Sequence, residues 1–255
     1  MSCLSEKLKA SLQVTAPAMG FFRKTASANK PRMLLLAQVA EIPGETMITN
    51  MPAIDVLLLS CTKSVPAKTL NTLVKALGKS PLGLWGPNKL SGKVISEVDF
   101  LVFTAESMSL ATQVAETVGK VLVIKTDWSD SMLRTLNETS LDAVLIDSDT
   151  ISTLTFLDLL CFSRVGNIVN KPLLAQVPVS VSEGEIRALW NAGVDALVVS
   201  LSEETLAETK KLATLLGTIS LPAKNKWQRP HALVPSLKQE GASVTHDDDE
   251  EEDEE

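Results

Sequence analysis

Eight short apolar runs recur along the chain: Met33–Ala37, Ile54–Leu59, Leu82–Trp85, Val98–Phe103, Lys120–Ile124, Leu141–Ile146, Pro172–Ala175 and Val194–Val199. Each ends in a polar or charged cluster, and most are followed by a stretch patterned like a helix. Runs that are apolar on both faces read as strands covered on both sides, and their alternation with helices predicts a parallel sheet. Eight such units predict a compact, closed (β/α)8 barrel of the TIM type. An open doubly wound parallel sheet is the alternative. The barrel would gather its chemistry at the carboxyl ends of the strands, the open sheet at a topological switch point.

The spacing is tight. Run starts lie roughly 16 to 31 residues apart, whereas a βαβ unit commonly takes about 30. Several helices are therefore expected to be short, above all after the first and third runs. Capping chemistry marks the others. Ser64 with Pro66 starts a helix that Gly78 closes. Ser129 and Ser182 start two more, and Ser202 with Glu203 and Glu204 starts the last, which Gly217 ends. Residues 1–31 form an N-terminal extension with a helix near Ser5–Leu12, and the paired Phe21 and Phe22 are expected to plug one end of the core. The barrel spans 32–217, an irregular basic strap 218–246, and an acidic tail 247–255.

Hydrophobic content of 45% allows a large core in 255 residues, and an aromatic share of 4% with no Tyr makes that core aliphatic. Three cysteines far apart, without a CxxC pair, argue against a zinc site or a disulfide framework and suit a reduced, cytoplasmic setting. No apolar run approaches the roughly 20 residues that span a bilayer, so no membrane partner is expected. The net charge of −7 is carried by the tail, whose nine carboxylates at 247–255 leave about +2 on the body. Such a block repels itself and stays disordered, solubilising the chain or contacting a basic partner. No basic stripe with interleaved aromatics points to nucleic acid.

The stretch Ser182–Val199 ends a helix in Ala192-Gly193-Val194-Asp195 and leads into the last apolar run. It resembles the seventh-helix to eighth-strand unit of ribulose-phosphate-binding barrels. The resemblance implies the fold and a left-handed helix stop at Gly193. In that group, glycine-rich turns after strands seven and eight hold a phosphate through backbone amides. Here those turns read Gln176-Val-Pro-Val-Ser180 and Ser200-Leu-Ser-Glu-Glu204. They lack a glycine pair and carry Glu203 and Glu204, which repel an anion, so the phosphate site is not carried over.

Residues just past each run form a polar ring: Gln38 and Glu41, Cys61 and Lys63, Trp85 and Asn88, Thr104 and Glu106, Lys125 and Asp127, Asp147 and Asp149, Gln176, and Ser200. Lys125 directly follows an apolar strand, where partial desolvation would suit an amine to base or imine chemistry, and Asp147 ends the adjoining strand. Lys125, Asp147 and Glu106 are thus the candidate catalytic groups. Glu41, Lys63, Trp85, Asn88, Asp127, Gln176 and Ser200 are the candidate substrate contacts. The competing expectation is that Lys125 only closes the rim in an ion pair with Asp147 or Asp127, and that Trp85 is a core plug. Glu41 and Glu106 are too far apart for a carboxylate dyad. Asp147-Ser-Asp149 lacks a third ligand for a cation, and no cofactor is indicated. Cys61 lacks a histidine, since His231 and His246 lie in the strap and tail.

Two functions follow. The first is a lyase- or isomerase-type enzyme acting on a small carbonyl or carboxylate compound through the Lys125/Asp147 pair. The second is a barrel without catalysis that serves as a binding or assembly module. Self-association, most simply as a two-fold dimer, is expected wherever short helices leave apolar faces uncovered.

Overall fold

The computed structural model describes residues 2–12, 31–60, 70, 73–75, 77–78, 80–86, 95, 97–109, 114–147 and 153–224. Phe21, Phe22, Ser64, Pro66 and the acidic tail lie outside the described residues. Eight strands are present: β1 (Leu34–Val39), β2 (Val56–Ser60), β3 (Leu82–Trp85), β4 (Phe100–Thr104), β5 (Gly119–Ile124), β6 (Ala143–Ile146), β7 (Leu173–Gln176) and β8 (Ala196–Ser200). They close into a ring in chain order, with all neighbours parallel and β1 hydrogen-bonded to β8. This is the (β/α)8 barrel, and the open sheet is excluded. The pairing register advances by about eight residues around the ring, the shear of this fold.

Helices bounded within the described residues are α1 (Cys3–Leu12), α2 (Glu45–Thr49), α3 (Asp130–Thr135), α4 (Phe156–Ile168), α5 (Glu183–Asn191) and α6 (Leu206–Thr218). As the spacing predicts after the first run, α2 is short, at 5 residues; α3, after β5, has 6, and the stretch at 87–94 after the third run lies outside the described residues. Ser129 and Ser182 cap α3 and α5 through their hydroxyls, and Glu185 completes a capping box with Ser182. Gly78 and Gly193 adopt φ of 63° and 101°, the left-handed stops expected of them. Two expectations need correction. The last helix starts at Leu206, because the Ser202 and Thr205 hydroxyls bond each other and Thr205 Oγ1 donates to the Ser200 carbonyl, holding 200–205 in a turn. It also runs through Gly217 to Thr218.

Four apolar runs begin, in sequence, just before an aspartate, yet the strands begin just after it. The reason is one device used four times. Asp55, Asp99, Asp142 and Asp195 each precede an even-numbered strand. Each turns a carboxylate oxygen onto a backbone N–H of the strand before it. The donors are Leu35, Leu82, Lys120 and Leu173, at 3.0, 2.8, 2.9 and 2.8 Å. The same aspartates donate their own N–H back to the carbonyls of those four residues at 3.0, 2.9, 2.9 and 2.7 Å. A carboxylate that accepts a backbone N–H makes a stronger bond than a neutral acceptor, so each clamp fixes where its even strand starts.

Alternation then decides what faces inward. Leu34, Leu36, Val56, Leu58, Phe100, Val102, Val121, Val123, Ala143, Leu145, Leu174, Ala196 and Val198 pack together as the lumen core. The intervening residues, among them Leu35, Leu122, Ile124, Val144 and Ile146, pack outward against the helices. Gly83 makes room for one large lumen side chain, since a Cβ there would lie 2.1 Å from the buried Phe100 ring. The amino-terminal end of the barrel is plugged by α1. Its Leu4 and Leu8 recur at helical spacing and join the lumen core. Burying each contributes about 1.5–3 kcal/mol. At the same end, Lys224 spans back to the barrel: its Nζ lies 2.8 Å from Asp195 and 3.7 Å from the Trp190 ring centroid.

Candidate functional site

With the amino-terminal end plugged by α1, the mouth lies at the carboxyl ends of the strands. The lumen phase carries upward from the core into Gln38 on β1, Ser60 on β2, Trp85 on β3, Thr104 on β4 and Gln176 on β7. Ser200 on β8 continues it, as do the positions just past β5 and β6, Lys125 and Asp147. In a barrel of this shear, inward side chains form layers drawn from alternate strands. Gln38, Trp85, Val123 and Gln176 form the layer that floors the mouth. Ser60, Thr104, Asp147 and Ser200 form the next layer out.

The floor is polar but uncharged. Gln176 Nε2 donates to Gln38 Oε1 at 3.0 Å across the top of the lumen. Gln176 is 6% exposed, and its buried Oε1 has no hydrogen-bond partner among the described residues. Trp85 is half-buried against the lumen core. It is therefore part of the floor as well as a plug for the aliphatic interior.

Lys125 continues the inward phase of Val121 and Val123, and Asp147 continues that of Ala143 and Leu145. The Asp147 N–H donates to the Ile124 carbonyl at 3.0 Å, which places the two residues side by side on neighbouring strand ends. The expected rim ion pair is absent. Ion pairs among the described residues join Arg32 to Asp55, Arg164 to Asp130, Arg187 to Glu183 and Lys224 to Asp195. Lys125 joins neither Asp147 nor Asp127, because its long side chain stands exposed in solvent while Asp147 is half-buried. Glu106 is exposed in the turn after β4, where Ser107 Oγ bonds the Thr104 N–H and carbonyl. Glu41 and Asp127 are also exposed, and Ser200 is exposed at the end of β8. Lys63, Asn88 and Cys61 lie outside the described residues. Elsewhere, burial first and Asp99 second push the Cys3 thiol up from its ordinary value, away from nucleophilic use.

Ser60, and the bond joining Gln38 to Gln176, escape a reading of the sequence. Both faces of these strands are apolar, so their phase is invisible until one face is known to be the lumen. Two glutamines ending apolar strands were the available signal. Among the described residues no group of three or more His, Cys, Asp or Glu could hold a metal ion, and no helix is long and apolar enough to cross a membrane.

The plugged base, the amide floor and the polar rim are built on a closed (β/α)8 barrel, a fold shared with several solved structures. A tryptophan synthase α-subunit from Pyrococcus furiosus superposes with a TM-score of 0.56 at 15% identity, covering 72% of this chain and 98% of that one. A thiamine phosphate pyrophosphorylase from the same organism gives 0.54 at 13% identity, over 72% and 96%. Tryptophan synthase from Mycobacterium tuberculosis gives 0.54 at 11% identity, over 75% and 94%. At these identities the likeness shows the fold alone. No family model matches the chain, and no curated protein matches it in sequence.

Proposed function

We propose that the protein is a lyase- or isomerase-type enzyme that takes a small carbonyl or carboxylate compound into the barrel mouth. The observation that supports it is the shared inward phase of Lys125 and Asp147 on neighbouring strand ends. A lysine that is not tied to a protein carboxylate is available to an oxygen of the ligand, and Asp147 beside it is placed to accept or return a proton. Gln38, Gln176 and Trp85 hold the other end of the molecule. The test is a thermal-shift screen of short keto acids, hydroxy acids and aldehydes, followed by borohydride reduction of any hit. A ligand whose stabilising effect is unchanged by Lys125→Met removes Lys125 from the site.

One observation favours the second reading, an assembly module. Phe156, Leu157 and Leu160 on α4 are 74%, 69% and 52% exposed, and Met132 on α3 is 50% exposed. The strip adjoins an apolar groove between α4 and α5 lined by Leu154, Leu159, Ala188 and Leu189. We propose that a second copy of the chain covers it, with Phe156 of each copy entering the groove of the other about a two-fold axis. The strip supplies the apolar centre of an interface that needs about 800 Å² per partner. The apolar faces expected after the first and third runs are not where these residues lie. Light scattering should give a dimer mass at micromolar concentration and a monomer mass for Leu160→Asp. A monomer in both cases refutes the interface.

A further inference from the structure

The floor of the mouth says which end of a ligand goes in first. Gln176 is buried to all but 6%, its Nε2 donates to Gln38, and its Oε1 has no hydrogen-bond partner among the described residues. A buried amide oxygen left without a hydrogen bond keeps the full cost of its lost hydration. It is satisfied only by a donor. A carboxylate or phosphate oxygen is an acceptor and would meet Oε1 with repulsion. The torsion carrying the carboxamide is soft, so the oxygen can be turned toward a group entering from the mouth without moving β7.

Two further features bear on the rest of the molecule. The backbone turns after β7 and β8, where an anion could meet free amides, are already engaged by this chain's own groups. The amino end of α5 is capped by the Ser182 hydroxyl and the Glu185 carboxylate, and the turn from Ser200 to Thr205 is closed on itself by hydroxyl bonds. Among the described residues the positive group of the rim is Lys125, two residues beyond the floor residue Val123.

Resting on the proposed role of the mouth, we infer that its ligand is bifunctional and unphosphorylated. A hydroxyl or amine enters first and donates to Gln176 Oε1, and a carboxylate or carbonyl remains at the rim beside Lys125. The class is therefore a hydroxy or amino acid, or the corresponding aldehyde.

A matched series of equal length tests this on the full chain: γ-hydroxybutyrate, γ-aminobutyrate, butyrate and succinate, with binding followed by ligand-detected NMR. The two donor-bearing compounds should bind about tenfold more tightly than butyrate or succinate. Gln176→Leu should abolish that preference. Gln176→Glu, which keeps an acceptor and discards the amide donor, should retain it, and urea unfolding of each variant confirms that it folds. Lys125→Met should weaken all members of the series alike. Equal binding of succinate and γ-hydroxybutyrate, still weakened by Lys125→Met, overturns the donor inference and leaves the mouth as the site. If no member binds, or none responds to Lys125→Met, the donor inference and the proposed site fall together.

Discussion

Lys224→Met is the most severe test of how the closed end of the barrel is held. The Asp195 side chain is fully buried, and Lys224 is 10% exposed. One carboxylate oxygen accepts the Leu173 N–H at 2.8 Å and the other accepts Lys224 Nζ at 2.8 Å. Methionine keeps the aliphatic stem but removes the ammonium that pairs with Asp195 and lies over the Trp190 ring. Breaking a buried pair from one side typically costs about 3–5 kcal/mol, a large share of the roughly 5–15 kcal/mol that holds a domain together. Adding Asp195→Asn should recover much of that loss. The asparagine oxygen still accepts the Leu173 N–H, and the carboxylate that lost its ammonium partner is gone. The double variant should therefore be more stable than Lys224→Met alone, by about 2 kcal/mol. Urea unfolding, with slopes compared between variants, reads both numbers. Arg187→Met, which breaks the exposed Arg187–Glu183 pair, is the control and should cost about 0–1 kcal/mol. A Lys224→Met cost no larger than that control, or a double variant no better than the single, refutes the assignment of Lys224 as the charge partner of Asp195.

Gly83→Ala should destabilise the barrel by about 1–3 kcal/mol through overpacking against Phe100, and Phe100→Leu should partly restore it; equal unfolding midpoints for wild type and Gly83→Ala count against the packing described. Hydrogen bonds from the Ser182 hydroxyl and N–H hold the Glu185 carboxyl below its ordinary value of 4.5. Its contribution to stability is therefore present above that ordinary value and is lost as pH falls through the lowered one. Thermal melts of wild type and Glu185→Gln should converge at acid pH and differ at neutral pH; a constant difference across that range removes the cap from the account. Leu8→Ala, which empties part of the plug at the amino-terminal end, should cost about 2–5 kcal/mol by urea unfolding, and a cost under about 0.5 kcal/mol would mean that α1 does not seal the lumen.

The architecture was legible because its signal repeats. Eight runs of aliphatic residues, punctuated by serine caps at 129 and 182 and a glycine stop at 193, leave few folds other than a barrel. The strand starts were less legible. Ile54, Val98, Leu141 and Val194 are as apolar as the strands they precede, and only the hydrogen bonds of the following aspartates show that the ladder begins later. Serine and glutamate also mark the amino ends of helices in general, which is why Ser202 drew the expected start of α6 forward, whereas in the folded chain its hydroxyl is spent on Thr205. The site was legible as a ring but not as an interior. Lys125 and Asp147 stand at ends of strands whose two faces are equally hydrophobic, so inward and outward phases look alike in sequence. Only the packing of Val121, Val123, Ala143 and Leu145 in one lumen tells them apart. The role of α1 was hidden for a different reason: Leu4, Leu8 and Leu12 make an ordinary amphipathic stripe, and nothing in such a stripe names the surface it covers.

The four aspartate clamps make the ring a set of four stapled doublets rather than eight equivalent staves. Each staple joins an odd strand to the even strand after it: β1 to β2, β3 to β4, β5 to β6 and β7 to β8. The seams between doublets are held by the ordinary ladder and by side-chain packing. Opening of the native ring is then expected to begin at a seam and to release strands two at a time. Amide protons of Leu35, Leu82, Lys120 and Leu173 should exchange with the slowest, global unfolding of the molecule, while those along the seams report earlier, partial openings. A repeat length of one doublet also makes the quarter-barrel, rather than the single strand and helix, the natural unit in which to recombine or shorten this chain.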